Sequence, residues 1–194
     1  MTDLMQTDDT KTRGKKVAFL TATEGVEGVE LTEPWDALEQ AGARPELLST
    51  KTGEVQLVRH LEPTETRTVD RVVGEASVDE YDALVLPGGV ANPDALRMDT
   101  VAVEFVKAFV ASGKPVAAIC HAGWMLAEAD VVKGRRVTSW PSVRTDLRNA
   151  GAEWVDEQVV TDGNLITSRK PGDIPDFNNA LLEALAHGPA GTSS

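Results

Sequence analysis

The stretch Lys114-Pro115-Val116-Ala117-Ala118-Ile119-Cys120-His121-Ala122-Gly123 decides how the chain is read. Pro115 to Ile119 is a short unbroken apolar run, the pattern of a strand buried on both faces of a parallel sheet. Cys120 follows at once, and residues 121–129 read as a helix. Strand, nucleophile and helix with no spacer is the layout of a nucleophile elbow, whose sharp turn exposes one side chain at the end of the sheet. The helix start supplies unpaired N–H groups and partial positive charge, which favour thiolate over thiol. A lone cysteine is commonly just a small buried apolar residue. The elbow position is what turns Cys120 into a candidate reactive thiol.

Outward from this stretch the same pattern recurs. Asp82-Ala83-Leu84-Val85-Leu86-Pro87-Gly88-Gly89 is a buried strand running into a glycine turn, and Lys16–Ala22 is another strand. Pro34–Gly42 reads as a helix with proline in its first turn and glycine at its end. Pro45–Ser49 is a second strand, and residues 54–60 and 66–73 alternate weakly, as a hairpin or short edge strands. Val101–Ser112, Pro141–Ala150 and Ile174–Ala186 have helical spacing. Val155–Val160 and Asn164–Ser168 flank Asp162-Gly163, a hairpin signal. Strands alternating with helices predict an α/β fold, a parallel sheet covered on both faces. Residues 15–187 read as one domain between polar, aperiodic tails at 1–14 and 188–194.

The 194 residues suffice for a core burying roughly 70% of the unfolded surface. With 19 basic and 31 acidic residues the net charge is −12. That charge repels phosphate backbones and anionic membrane surfaces, so neither a nucleic acid polymer nor a membrane is an expected partner. One cysteine forms no intramolecular disulfide and no cysteine-rich zinc site. The first 16 residues lack the apolar segment of a signal peptide, and no apolar run approaches the ~20 residues that span a bilayer. A cytoplasmic protein is the expectation.

Ligands of open parallel sheets bind beyond the carboxyl ends of the strands. Three such ends, Glu24–Glu30, Gly88–Asp94 and Cys120–Gly123, are positioned to line one pocket. His121 is either the general base for Cys120 or contributes only its backbone N–H. Gly88-Gly89 lets the backbone approach a bound group, and the N–H groups of Gly89 and His121 form a candidate oxyanion hole. Glu27, in the first loop, is a candidate protonated donor to the sulfur if burial raises its pKa. Asp94 is a candidate to orient His121, as the third member of a triad does. His60, His121 and His187 fall in no ligand spacing, and no phosphate loop is present, so neither metal nor cofactor is expected.

At these residues the chain resembles the PfpI family (intracellular protease I, general stress protein 18) of the DJ-one/PfpI superfamily. The matching stretches are Val26–Leu31, Asp82–Gly89, Ala118–His121, Thr138–Ser142, Asn149–Asp156 and Val160–Arg169, and the likeness covers nearly all of residues 16–186. The resemblance implies a flavodoxin-like sandwich of the class I glutamine amidotransferase-like type. It implies Cys120 as nucleophile, Glu27 as its hydrogen-bonding partner and His121 beside it. In protease-like members an acid after the Gly-Gly-x-x-Pro turn is donated across a subunit interface. Pro93-Asp94 takes that place here, with one extra loop residue and Asp for Glu, and Ala122 replaces a commoner glycine.

The resemblance implies several activities, in a homodimer or higher homo-oligomer. The first is stress-related detoxification, glyoxalase- or deglycase-like, acting on small electrophilic carbonyl compounds or their adducts. The second is an intracellular cysteine peptidase acting on protein or peptide. The third is a non-enzymatic oxidative-stress sensor or chaperone, whose cysteine is oxidised to sulfenic or sulfinic acid. A glutaminase subunit is disfavoured, because the one histidine downstream of His121, His187, precedes Gly188-Pro189 rather than Glu.

Overall fold

The computed structural model describes residues 10–189. Twelve strands and six α-helices occur among them. The strands are β1 (Lys16–Thr21), β2 (Val26–Glu27), β3 (Arg44–Ser49), β4 (Glu54–Arg59), β5 (Glu62–Thr68), β6 (Arg71–Val72), β7 (Ala83–Leu86), β8 (Val116–Ile119), β9 (Arg136–Val137), β10 (Glu153–Trp154), β11 (Val159–Asp162) and β12 (Leu165–Ser168). The helices are α1 (Gly28–Gln40), α2 (Ala91–Leu96), α3 (Thr100–Ala111), α4 (Gly123–Glu128), α5 (Arg144–Asn149) and α6 (Ile174–His187).

The main sheet has the order β11-β12-β8-β7-β1-β3-β6. Every pairing in it is parallel except that of β11 with β12. That hairpin is the one signalled by Asp162-Gly163, with Asp162 opposite Leu165. Strand alternation sorts the core onto two faces. Ala18, Leu20, Leu84 and Leu86 pack with Phe105, Phe109 and Met125 on one side. Val17, Phe19, Val85 and Ile119 pack with Leu31, Leu38, Phe177 and Leu181 on the other. This is the α/β sandwich expected, with its parallel strands buried from both sides.

Residues 54–60 do form a hairpin, β4 with β5, while Arg71-Val72 crosses to the main sheet beside β3. The short strand β2 joins that hairpin in a separate sheet of order β2-β4-β5.

The first helix differs from the sequence reading. It begins at Gly28, and Pro34 lies inside it. Proline in a helix interior costs a hydrogen bond to the carbonyl four residues back. The buried set Glu30, Leu31, Pro34 and Leu38 falls on one face at helical spacing, and its burial outweighs that cost. The early start carries Glu30 into the core. Within the stretch read as an N-terminal tail, Thr12 is buried, and its hydroxyl donates to the Ala41 carbonyl at 2.5 Å. Residues 1–9 and 190–194 of the expected tails lie outside the described residues.

Phe19 is fully buried, with its ring centroid 5.1 Å from that of Trp35. Phe19→Ala is expected to lower stability by about 3–5 kcal/mol. A shift of the urea midpoint at unchanged slope checks this.

Candidate active site

The turns after β1, β7 and β8 converge as expected on one cavity of about 300 Å³, lined by Glu27, Glu30, Gly89, Val90, Cys120, His121 and Trp140. His60 and Leu61, from the tip of the β4-β5 hairpin, and Pro171 close its outer side. A second cavity of about 560 Å³, lined in part by Arg59, Thr64 and Glu65, shares Glu27, His60 and Pro171 with it.

Cys120 has φ 63°, in the left-handed region that non-glycine residues avoid. This is the elbow. Behind it runs a 3₁₀ turn, Cys120–Ala122, and then the six-residue α4. The expected favourable helix end is therefore replaced by individual N–H groups. Those of Gly89 and His121 are directed at the sulfur and favour thiolate. They are the two donors read from the sequence as an oxyanion hole.

The thiol nevertheless does not have the lowered pKa that the elbow suggested. Burial pushes it well up, and the neighbouring Glu30 carboxylate pushes it further. Cys120 is only 7% exposed, so its charged form loses most of its hydration.

Glu30, rather than Glu27, is the carboxyl beside the sulfur. Its Oε2 accepts the Gly88 N–H at 2.9 Å. Its Oε1 is buried without a hydrogen-bond partner. Burial, reinforced by the charge of Glu27, raises its pKa to about 8 despite the opposing backbone donor. Glu27 lies one helical turn earlier, and its Oε2 accepts the His60 N–H at 3.0 Å, which fixes the hairpin tip over the cavity. The hydrogen-bonding role expected at Glu27 thus falls to the residue one turn on.

His121 does turn back on its neighbour: Nδ1 lies 3.2 Å from Cys120 Sγ. Burial lowers the imidazole pKa. Asp94 does not complete a triad within the chain. It is exposed on α2 and absent from the cavity lining, because the buried face of that helix carries Asn92, Pro93 and Leu96. Asn92 accepts the Ala22 N–H at 2.8 Å and donates to the carbonyls of Pro87 and Gly88, joining the β1 and β7 turns. Nothing in the sequence marked it. Gly88 and Gly89 are required by proximity. A Cβ on Gly88 would lie 2.7 Å from Cys120 Cβ, and Gly89 has φ 85° with a Cβ position 2.8 Å from Glu27 N.

An elbow cysteine over a parallel sheet, flanked by a carboxyl and an imidazole, defines an α/β protein built around a cysteine at a strand-to-helix turn. The chain belongs to the DJ-1/PfpI family, whose profile matches residues 15–184. It is 41% identical over 172 residues to protein/nucleic acid deglycase 2 of Escherichia coli (strain K12), covering 88% of this chain and 98% of that one. It is 39% identical over 171 residues, with the same coverage, to YraA of Bacillus subtilis (strain 168), provisionally named a cysteine protease. Among solved structures, Drosophila melanogaster DJ-1beta superposes with TM-score 0.81 at 31% identity, over 89% of this chain and 91% of that one. The chain also covers 48% of a two-domain Anabaena variabilis protein that joins a DJ-1/ThiJ/PfpI-like to a ferritin-like domain, with TM-score 0.82 and 39% identity.

Glu30 holds its proton in the folded chain up to about pH 8, against 4.5 for an ordinary carboxyl. Between those values the folded state binds a proton that the unfolded state has lost. Stability therefore falls as pH rises through that window, by on the order of 1.4 kcal/mol per pH unit. Glu30→Gln is expected to remove that slope. Urea midpoints between pH 4.5 and 8 measure it, and an unchanged slope refutes the assignment.

Proposed function

We propose that this chain is a cysteine-dependent enzyme of carbonyl detoxification, glyoxalase- or deglycase-like, with Cys120 as nucleophile. One observation carries the reading: the Cys120 sulfur faces an imidazole nitrogen 3.2 Å away and two backbone donors inside a small cavity. A cavity of about 300 Å³ is at the small end of ligand sites, which suits a compact aldehyde or the modified end of a larger molecule. The sulfur attacks the carbonyl carbon as its proton passes to His121 Nδ1, and the Gly89 and His121 N–H groups receive the developing oxyanion.

The relatives named as deglycases support this reading, and the name of YraA supports a peptidase as the alternative. A peptide substrate would use the outer cavity beside Arg59 and Glu65 as well. The raised pKa of Glu30 favours a further reading, in which its retained proton is donated to an oxidised Cys120 sulfur in a stress sensor. The protein acts in the cytoplasm as a homo-oligomer in this proposal. Its charge of −12 argues against a standing nucleic acid or membrane partner, and no described helix is long and apolar enough to cross a membrane.

Methylglyoxal consumption is expected from the wild-type chain and to fall to the uncatalysed rate in Cys120→Ala. Cleavage of a fluorogenic peptide with the same dependence would select the peptidase. Equal turnover by wild type and variant would reject both. Intact mass after mild peroxide tests the sensor, which a persistently reduced thiol rejects.

A further inference from the structure

His121 lies against two indoles. Trp124, three residues on in α4, has its ring centroid 5.2 Å from that of the imidazole, tilted by 59°. Trp140 stacks on the imidazole at 5.8 Å, with an interplanar angle of 23°. Both lie within the ~6 Å over which an aromatic ring attracts a cation. The ring nitrogens are engaged separately: Nδ1 faces Cys120 Sγ at 3.2 Å, and Nε2 faces Ser142 Oγ at 3.3 Å.

Both indoles are tied in place. Trp124 Nε1–H donates to Asp146 Oδ2 on α5 at 2.9 Å. The Trp140 N–H donates to the Cys120 carbonyl at 3.1 Å, and its own carbonyl accepts the N–H of the buried Val143 at 3.0 Å. A carboxylate on its N–H polarises the Trp124 indole and enriches its π cloud. Arg97 competes for that ring, its guanidinium carbon lying 5.9 Å from the centroid, but its charge is paired with Glu128 at 2.9 Å. The other titratable groups near the imidazole are Cys120, Glu27, Glu30 and His60, which line the same cavity.

In the proposed reaction the sulfur bonds to the carbonyl carbon and the C=O π pair moves to oxygen. The thiol proton passes to His121 Nδ1. A positive charge thus forms on a ring where burial disfavours it. An aromatic neighbour attracts imidazolium far more than neutral imidazole, so its contribution grows only as the charge does. We infer that Trp124 and Trp140 are positioning residues that stabilise the imidazolium of His121 through their π electrons. This rests on Cys120 being the nucleophile of the proposed function. A carboxylate brought by a partner subunit would meet the imidazole at a nitrogen, so the indoles act beside such a group and not in its place.

The test is an NMR titration of the imidazole C–H signals in the full chain. His121 is assigned by the signal missing from His121→Gln, and His60 and His187 serve as internal references. Tryptophans carrying one, two and three fluorines are placed at position 124 alone, which withdraws π density while nearly keeping the indole's shape. The His121 pKa is expected to fall stepwise along the series, by about half to one unit at the end. Trp124→Leu should match the most fluorinated form and Trp124→Phe should fall between. The same series at Trp140 should shift the pKa in the same direction. Alkylation of Cys120 by iodoacetamide at neutral pH follows the thiolate–imidazolium pair, and should slow about three- to tenfold in parallel.

Loss of packing alone would let water reach the imidazole and raise its pKa, the opposite sign. A His121 pKa that stays fixed or rises along the folded fluorinated series overturns the inference, as does unchanged alkylation. If Trp124→Leu fails to fold by circular dichroism, the fluorinated series still decides. Neither readout requires turnover, so failure of the detoxification reading, through an active Cys120→Ala, would be seen separately.

Discussion

The site depends on how closely the turn after β7 passes the turn after β8. At Gly88 there is no room for a side chain: a Cβ would sit 2.7 Å from Cys120 Cβ and 2.8 Å from the Ile119 carbonyl oxygen. Contact at that distance lets the Gly88 N–H reach Glu30 and the Gly89 N–H reach the sulfur at the same time. Asn92 then ties this turn to the end of β1. Three strand ends from distant parts of the sequence become one rigid frame, and the left-handed backbone of Cys120 is held against its own preference by that frame.

The electrostatics of the frame run against the simplest picture of an activated cysteine. Burial disfavours charge at three groups around the sulfur, so the thiol, Glu30 and His121 all shift toward their neutral forms. Two backbone donors oppose this at the sulfur but do not overcome it. Cys120, Glu30 and His121 thus rest in their neutral forms near pH 7, and charge develops on them only when a reactant supplies somewhere for it to go. That behaviour differs from that of an exposed thiolate at a long helix N-terminus, which is charged before any reactant arrives.

Much of this was legible in the sequence, for definite physical reasons. The run Val116–Ile119 ending on Cys120, the Leu84–Leu86 strand ending on Gly88-Gly89, and the turn at Gly163 each combine a short apolar strand with a strong backbone signal, and each is present. The site's carboxyl lies one helical turn beyond the Glu27 of the sequence reading, in a helix that starts before Pro34. Placing the start of α1 at Pro34 leaves Glu30 in a loop, whereas the spacing Glu30, Pro34, Leu38 already marks a buried helical stripe. Asp94, which the resemblance reads as an acid donated across a subunit interface, is exposed on α2 and does not line the cavity of its own chain. Ser142 lies 21 residues from His121 and meets it only through the Trp140–Cys120 backbone contact, which local patterning does not encode. The thiol pKa followed the same logic: local sequence shows the donors, while the desolvation comes from the assembled cavity.

The β4-β5 hairpin gives the cavity a floor and a roof of separate origin. The floor is set by the middle of the main sheet, where every position of β1, β7, β8 and β12 except Lys16 is buried. The roof is a hairpin tip, His60 and Leu61, borne on a different sheet and attached to the floor by the bond from the His60 N–H to Glu27. Leu61 is 86% exposed, so its identity is almost free of packing constraint. Changes in the length or residues of that tip can therefore redraw which molecules enter while Cys120, His121 and Glu30 stay where they are. A fold divided in this way can keep one elbow cysteine and exchange what reaches it.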